Sequence, residues 1–402
     1  MQILPDLINY ILAAILVGVG LTWILLIRSM WITFRDSPFL DRFNAKPHKK
    51  PRVSVILPAR NEEEFIERCI NSLADQDYDN YEIIAIDDRS DDRTGDIIKK
   101  ITKMNSKIVY VLAEPKPEGW IGKNWACMEG FRKASGELLL FTDADTFHTK
   151  KTISLAVDHL MSEGLDALTV IPKMLCLDRW TKITLPVLST FLHTRFSALR
   201  VNDSSKKTGY FFGSFYIIKR ETYESVGAHE GVKSDIVEDG ALGRKVKEAG
   251  FKLKMVRGEH LVEAIWARDW STLWHALKRL MIPLYLQEKS ISVGIFFAVL
   301  FLLLIPFPVL AYSSVFLKSS ESFDLLFGIS IVTSGLVYLA SAIDAKKGLS
   351  LGLRYVFFAP VGCAIIVAGF GSGILHAKRS DAVTWRGRTY SMIDTVQHSI
   401  SL

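Results

Sequence analysis

Apolar positions along this chain follow two patterns. Between about residues 45 and 260 they come in short blocks separated by charged loops, and elsewhere they fuse into long runs. In the first region, "VSVILPA" (53–59), "YEIIAIDD", "KIVYVLAE" and "ELLLFTDAD" are continuously apolar over the length of a strand. Between them, "EEEFIERCINSLADQ" places Phe65, Ile66, Cys69, Ile70 and Leu73 at helical spacing, and "RTGDIIKKITKM" and "NWACMEGFRKAS" also read as helices. Strands apolar throughout, alternating with helices, predict an α/β fold with a parallel sheet covered on both faces.

The long runs predict about four transmembrane helices. Residues 8–27 (INYILAAILVGVGLTWILLI) are uncharged over a membrane-spanning length, and further runs lie at about 291–317, 323–343 and 355–375. Arg28, Arg35, Arg42, Lys46, Lys49, Lys50 and Arg52 follow the first run, which predicts an uncleaved anchor with the next domain in the cytoplasm. Three later crossings would put the tail outside, against the charge of Lys378, Arg379, Arg386 and Arg388. Pro360 with Gly369, Gly371 and Gly373 would allow the last run to be broken or re-entrant. Just before these runs, Trp266, Trp270 and Trp274 stand at i, i+4 and i+8, continued by Leu277 and Met281 and flanked by Arg268, Lys278 and Arg279. That stripe predicts an amphipathic helix lying in the membrane interface. The expected organisation is therefore an anchor and linker (1–44), an α/β domain (45–260), an interfacial helix (261–289), a transmembrane region (290–377) and a basic tail (378–402).

Composition narrows the partners. The chain is 49% hydrophobic with mean hydropathy +0.20, an excess carried by the long runs. Its net charge of +6 gathers beside those runs, where it suits anionic lipid headgroups. No basic stripe interleaves with aromatics in the α/β region, so no nucleic acid is expected. The four cysteines have no paired or metal-ligand spacing, and neither a disulfide nor a thiolate site is expected.

Ligands of open α/β sheets bind beyond the carboxyl ends of the strands. The polar motifs fall there: Ala59-Arg60-Asn61-Glu62 after the first strand, Asp87-Asp88 after the second, Asp143-Ala144-Asp145 after the fourth. Neither GxGxxG nor GxxxxGK[ST] follows the first strand, which disfavours dinucleotide and P-loop chemistry. Acids in such a crevice can accept hydrogen bonds from a base or ribose. Two carboxylates two residues apart repel unless a dication lies beside them, and hard oxygen ligands suit Mg²⁺ or Mn²⁺. Lys123, in the loop "GWIGK" before a helix, can meet phosphate oxygens.

These motifs carry a resemblance. Over about residues 52–260, "SVILPARNEEEFI", "EIIAIDDRSDDRT", "GWIGKNWA", "FTDAD" and "SDIVEDGALGRKVKEAG" occur in the order seen in family 2 glycosyltransferases. These are inverting, nucleotide-sugar-dependent enzymes of the GT-A fold, a parallel or mixed sheet covered by helices. "GWIGKNWA", "AHEGVKSDIVED" and "WRGRTY" resemble the membrane-anchored branch associated with hopanoid and carotenoid glycosylation. Ala228 departs from that branch, which has a second glycine before the histidine.

The resemblance implies that Pro58, Ala59 and Glu62 line the nucleoside pocket, with Asp87 and Asp88 facing base or ribose. It implies Lys123 near the base or diphosphate, and Asp143 and Asp145 as the DxD pair, Asp145 the direct metal ligand. Asp239 is the implied general base, with Glu238 second. His148 is a further candidate ligand, and His229 would sit in an acceptor loop. Processive members carry Q/R-x-x-R-W where this chain reads "ALKRL", which argues for transfer of a single sugar. The arginines of "TWRGRTY" would reach the diphosphate if the tail is cytoplasmic.

The expected function is transfer of one sugar from a nucleotide-sugar donor to a lipid acceptor at the cytoplasmic membrane face, with Mg²⁺ or Mn²⁺. The alternative is an inactive scaffold or lipid-binding protein of the same fold, against which the intact DxD and ED motifs speak. A nucleotidyl- or phosphotransferase would need a Gly-rich loop or an arginine cluster after the first strand, and only Arg60 is there.

Overall fold

Strands β1 (Val53–Ala59), β2 (Tyr81–Asp87), β3 (Ile108–Leu112) and β4 (Leu138–Phe141) form where the apolar blocks predict them. In this computed structural model, residues 3–379 and 383–390 are described. Further along come β5 (Thr146–His148), β6 (Ala167–Ile171), β7 (Lys173–Cys176), β8 (Tyr216–Lys219), β9 (Leu253–Arg257) and β10 (Val262–Ala267). The main sheet has seven strands in the order β3-β2-β1-β4-β8-β6-β9. It is a mixed, GT-A-like sheet, because β8 runs antiparallel to both β4 and β6. A smaller sheet has the order β5-β10-β7.

The continuous apolar runs have a direct cause. Successive side chains of a strand point to opposite faces. Val55, Leu57, Ile83 and Leu140 enter one core with the helices Ile66–Ala74 and Thr152–Ser162. Ile56, Ile84, Leu139 and Phe141 enter the other, with the helices Gly122–Lys133 and Glu238–Glu248.

Register brings the strand ends together. β1 pairs with β2 from Val53↔Tyr81 to Ala59↔Asp87, so both finish side by side. β4 pairs in parallel with β1 as far as Ile56↔Phe141, which releases Asp143 and Asp145 at the same edge. β8 enters antiparallel with Tyr216 opposite Phe141, so the chain just before it, Gly213, arrives at that edge too.

The chain divides into two compact units. The α/β unit comprises Ser37–Leu175, Ala198–Trp266 and the described tail residues 383–390. The helical unit comprises residues 3–36, Cys176–Ser197 and Ala267–Arg379. The stretch expected as one domain over 45–260 is thus interrupted by a helix of the other unit, Arg179–Arg195.

Three helices of the helical unit, within Leu4–Asp36, Glu321–Lys347 and Leu353–His376, are long and apolar enough to cross a membrane. A fourth candidate is a pair, Lys289–Leu304 and Pro306–Val315, bent by 47°. The break therefore falls at Pro306 and not in the last run, where Pro360 occupies the first turn of the continuous helix Ala359–His376. Proline fits there because the first turn has no partner for its missing N–H. Polar groups in the helices find partners within the unit: Asn9 Nδ2 donates to Ser322 Oγ at 3.0 Å and Trp23 Nε1 to the Leu302 carbonyl at 2.9 Å.

The expected helix over 261–289 needs correction. Val262–Ala267 is β10, paired with β5, and the helix is Trp270–Gln287. Asp269 caps it, accepting the Thr272 N–H at 2.8 Å. Trp266 is therefore a strand residue, and the three-tryptophan stripe does not form. Trp270 and Trp274 do stack, with centroids 5.6 Å apart, while Leu277 and Met281 are core. Within the basic tail, residues 383–390 are ordered into strands. β11 (Val383–Trp385) and β12 (Arg388–Tyr390) make a hairpin within the α/β unit.

Candidate active site

Six acids and two kinds of cation meet at the common edge of the sheet. Lys123 lies in the first turn of Gly122–Lys133, and its Nζ is 2.7 Å from Asp143 Oδ1 and 2.6 Å from Glu238 Oε1. Burial alone would push this amine down. The charges of Asp143, Glu238 and Asp239 outweigh that and hold it well above the ordinary lysine range.

Glu238 and Asp239 open the helix Glu238–Glu248, whose N-terminus favours acids. Asp239 Oδ2 accepts the Gly213 N–H at 2.7 Å and Oδ1 accepts the Gly240 N–H at 2.7 Å. Burial, then the neighbouring charge of Glu238, push its carboxyl up to about 7, against the opposing pull of Lys123. A side chain at Gly213 would crowd the whole group. A Cβ there would stand 2.8 Å from Asp239 Oδ2, 3.1 Å from Asp143 Oδ2 and 3.2 Å from Lys123 Nζ.

The other acids face the first two strands. Pro58 and Ala59 are buried at the end of β1, and the Ala59 carbonyl accepts the Asp88 N–H at 2.8 Å. Glu62 is buried, and its Oε1 lies 2.5 Å from Arg386 Nη2. The same nitrogen is 3.2 Å from Asp145 Oδ2. Asp88, also buried, pairs with Arg388, and burial raises its carboxyl despite that arginine. Asp87 turns inward instead: it accepts the Ser90 N–H at 2.9 Å and the Tyr110 hydroxyl at 3.3 Å, shaping the loop after β2.

The sequence-predicted residues thus gather at one edge, in two groups. Asp143, Lys123, Glu238 and Asp239 form one; Glu62, Asp88 and Asp145 form the other. The two carboxylates of the DxD turn to different cations, Asp143 to Lys123 and Asp145 to Arg386. Among the described residues, no three His, Cys, Asp or Glu groups are placed to hold a metal by themselves. The donor set still fits Mg²⁺ or Mn²⁺, because Mg²⁺ sites in phosphate-handling proteins take one or two carboxylates and fill the rest with phosphate oxygens and water. The convergence of Asp145 and Glu62 on one guanidinium nitrogen shows a place already built for a cation.

Both candidate histidines are buried. His148 is buried, with Nε2 2.9 Å from Thr146 Oγ1, and burial pushes its imidazole down to about 3. His229 is buried with Nδ1 2.5 Å from the Tyr223 hydroxyl, so it braces its own loop from inside. Ala228 beside it has φ of 51°, a left-handed conformation that explains why a glycine suits this position.

Four further residues shape the site. Arg60 is buried and braces the loop after β2, donating Nη1 to the Asp88 carbonyl at 2.8 Å and Nη2 to Asp91 Oδ2 at 2.8 Å. Gly213 reaches the site through β8. Arg386 and Arg388 come from the far end of the chain, and the "WRGRTY" motif is their only signal.

Comparison with known proteins bears on this arrangement. Residues 54–227 match the profile of Glycosyl transferase family 2. A probable glycosyltransferase of Bacillus subtilis is 30% identical over 156 residues, 37% of this chain and 37% of its own length. The 4,4'-diaponeurosporenoate glycosyltransferase of Staphylococcus haemolyticus is 28% identical over 216 residues, 52% of this chain and 55% of its own. The chain thus spans between about a third and a half of the length of these relatives. In fold it resembles a mannosyltransferase from Pyrobaculum calidifontis, solved with GDP-Man and Mn²⁺. That likeness covers 90% of this chain and 99% of the other, with a TM-score of 0.54 and 18% identity.

Proposed function

We propose that the chain, whose residues 54–227 match the family 2 glycosyltransferase profile, transfers a single sugar, with inversion, from a nucleotide-sugar donor to a lipid acceptor at the cytoplasmic face of a membrane. The observation that carries the reading is Asp239. It is a carboxylate aimed by two backbone N–H groups, beside the Lys123–Asp143 pair, with its carboxyl pushed up to about 7. A general base works best when its pKa lies near the working pH.

In this mechanism the acceptor hydroxyl gives its proton to Asp239 as its oxygen attacks the anomeric carbon. The bond from that carbon to the diphosphate oxygen breaks, and the electron pair leaves with the diphosphate. Gly213 and Gly240 hold Asp239 in one orientation throughout. Lys123 meets negative charge as it develops and is itself kept protonated by the acids around it. Asp145, with Glu62 or Asp143, would hold a divalent cation, which supplies charge neutralisation for the leaving diphosphate. Glu62 and Asp88 are placed at the strand ends to meet the nucleoside.

Two features support the lipid acceptor: the apolar helices, and the relative named for 4,4'-diaponeurosporenoate. The basic residues 28–52 after the first apolar run support a cytoplasmic catalytic unit. The tail hairpin groups with the α/β unit, which supports an even number of crossings between residues 267 and 379. The last helix is unbroken, and the 47° bend before Pro306 supports that pair as the re-entrant segment. The test incubates membranes holding the full chain with labelled nucleotide sugars, then examines the lipid extract. Label in a lipid with the opposite anomeric configuration to the donor is expected. Release of free sugar alone, or label in no lipid, counts against it.

A further inference from the structure

The hairpin that closes the α/β unit is seated in the acids of the donor site, and its turn is unusual. Arg386 and Gly387 both have positive φ, 48° and 78°, the type I′ geometry that suits Asn-Gly. An arginine at the first of these positions is a strained backbone choice, and strain of this kind gathers at functional sites. The rest of the hairpin is anchored. Arg388 pairs with Asp88, and the Tyr390 hydroxyl accepts the Gly122 N–H at 3.2 Å. The fit is close, since a Cβ on Gly122 would stand 2.9 Å from the Tyr390 hydroxyl. Arg60 Nε and Asn61 Nδ2 donate to the Arg386 carbonyl at 3.0 and 3.3 Å. From this frame one nitrogen of Arg386 spans Glu62 and Asp145, while its buried Nε has no hydrogen-bond partner among the described residues. A buried donor without a partner calls for an explanation.

Resting on the glycosyltransferase reading, we propose that Arg386 is a built-in counter-cation that changes partner. Without donor it neutralises Glu62 and Asp145. When a divalent cation takes Asp145, the guanidinium is left beside a like charge and moves its fork, including the spare Nε–H, to the diphosphate of the donor. A planar guanidinium suits both states because it pairs with carboxylate and phosphate alike. The arginine therefore opposes metal binding alone and favours the metal together with diphosphate. Order of binding follows: the cation is held well only when diphosphate arrives with it.

The test uses the full chain in detergent, with free Mn²⁺ followed by electron paramagnetic resonance and inorganic pyrophosphate as the diphosphate probe. Arg386→Ala is expected to bind Mn²⁺ alone about tenfold more tightly, and pyrophosphate on the Mn²⁺-loaded chain about tenfold more weakly, the scale of one charge-assisted hydrogen bond. Arg386→Lys, which keeps the charge without the fork, is expected to fall between. If both ligands bind more tightly, the hairpin is only a plug; if neither moves, or both weaken, Arg386 does not exchange. Each of these overturns the proposal. Loss of the fold in both variants overturns it as well, since Arg386 would then be a structural ion pair. A chain that shows both shifts but transfers no sugar leaves this inference standing and removes the glycosyltransferase activity. A chain that transfers sugar and shows neither shift does the opposite.

Discussion

Each unit of the molecule buries carboxylates, with partners of different kinds. In the helical unit, fully buried Asp344 accepts from Ser189 and lies 3.1 Å from His193 Nε2. Ser189 and His193 are i and i+4 on one helix, so packing fixes both partners at once. Asp6, only partly covered near the start of the first helix, is met by Ser320, whose hydroxyl donates at 2.9 Å. These are short side chains on rigid elements, so the polar groups are met within the bundle. In the α/β unit the acids meet Lys123, Arg386 and Arg388. Two of these sit on a hairpin outside the seven-stranded sheet and all three have long side chains. Breaking a buried pair by deleting one partner is costly, whereas exchanging the partner for a ligand of the same sign is not. The contrast separates acids held for the fold from acids held ready for a ligand.

The strongest way to break that contrast is Asp239→Asn. It should lower turnover by a factor of about 10²–10⁴ and leave nucleotide affinity nearly unchanged. Loss of affinity with turnover retained would move Asp239 into the donor pocket. The same residue sets the pH response. A base titrating at about 7 makes kcat/KM rise roughly tenfold per pH unit below that value and level off above it. Stability responds in the opposite sense. The folded carboxyl holds its proton more tightly than the unfolded one, at about 4, so its contribution to stability falls as pH rises from there to about 7. Asp239→Asn should therefore gain in melting temperature on the parent across this window.

Chelation comes next. Excess EDTA should reduce transfer by about 10²-fold or more, and Asp145→Asn should weaken both donor binding and turnover. Full activity in chelator would remove the metal from the site. Asp344→Ala probes the other side of the comparison. It should destabilise the solubilised chain by about 1–3 kcal/mol through the buried partners left behind, with turnover within about twofold of the parent. A selective loss of turnover at unchanged melting temperature would place Asp344 among the exchangeable acids. The smallest effect belongs to Ala228→Gly, which relieves a left-handed alanine and should stabilise the α/β unit by up to about 1 kcal/mol in denaturant titration.

Much of this was legible along the chain. Four strands, the helices between them and the acids at their ends follow from period and register alone, because burying both faces of a strand demands an unbroken apolar run. Asp143 and Asp145 could be picked out for the same reason, as polar groups placed where an apolar run stops, whereas Asp239 was marked only by the family resemblance. What the sequence could not decide was which acid meets which cation. The partition of the DxD between Lys123 and Arg386, and the inward turn of Asp87 onto Ser90 and Tyr110, depend on directions that only packing sets. Trp266 shows the converse failure. Its spacing to Trp270 and Trp274 is helical, but pairing of β10 with β5 and the cap at Asp269 place it on a strand. The arrival of Arg386 beside Glu62, with 323 residues between them, was the furthest from reach. Local pattern specifies elements through interactions a few residues long, and a contact across nearly the whole chain exists only once the sheet edge and the returning tail have been brought to one place.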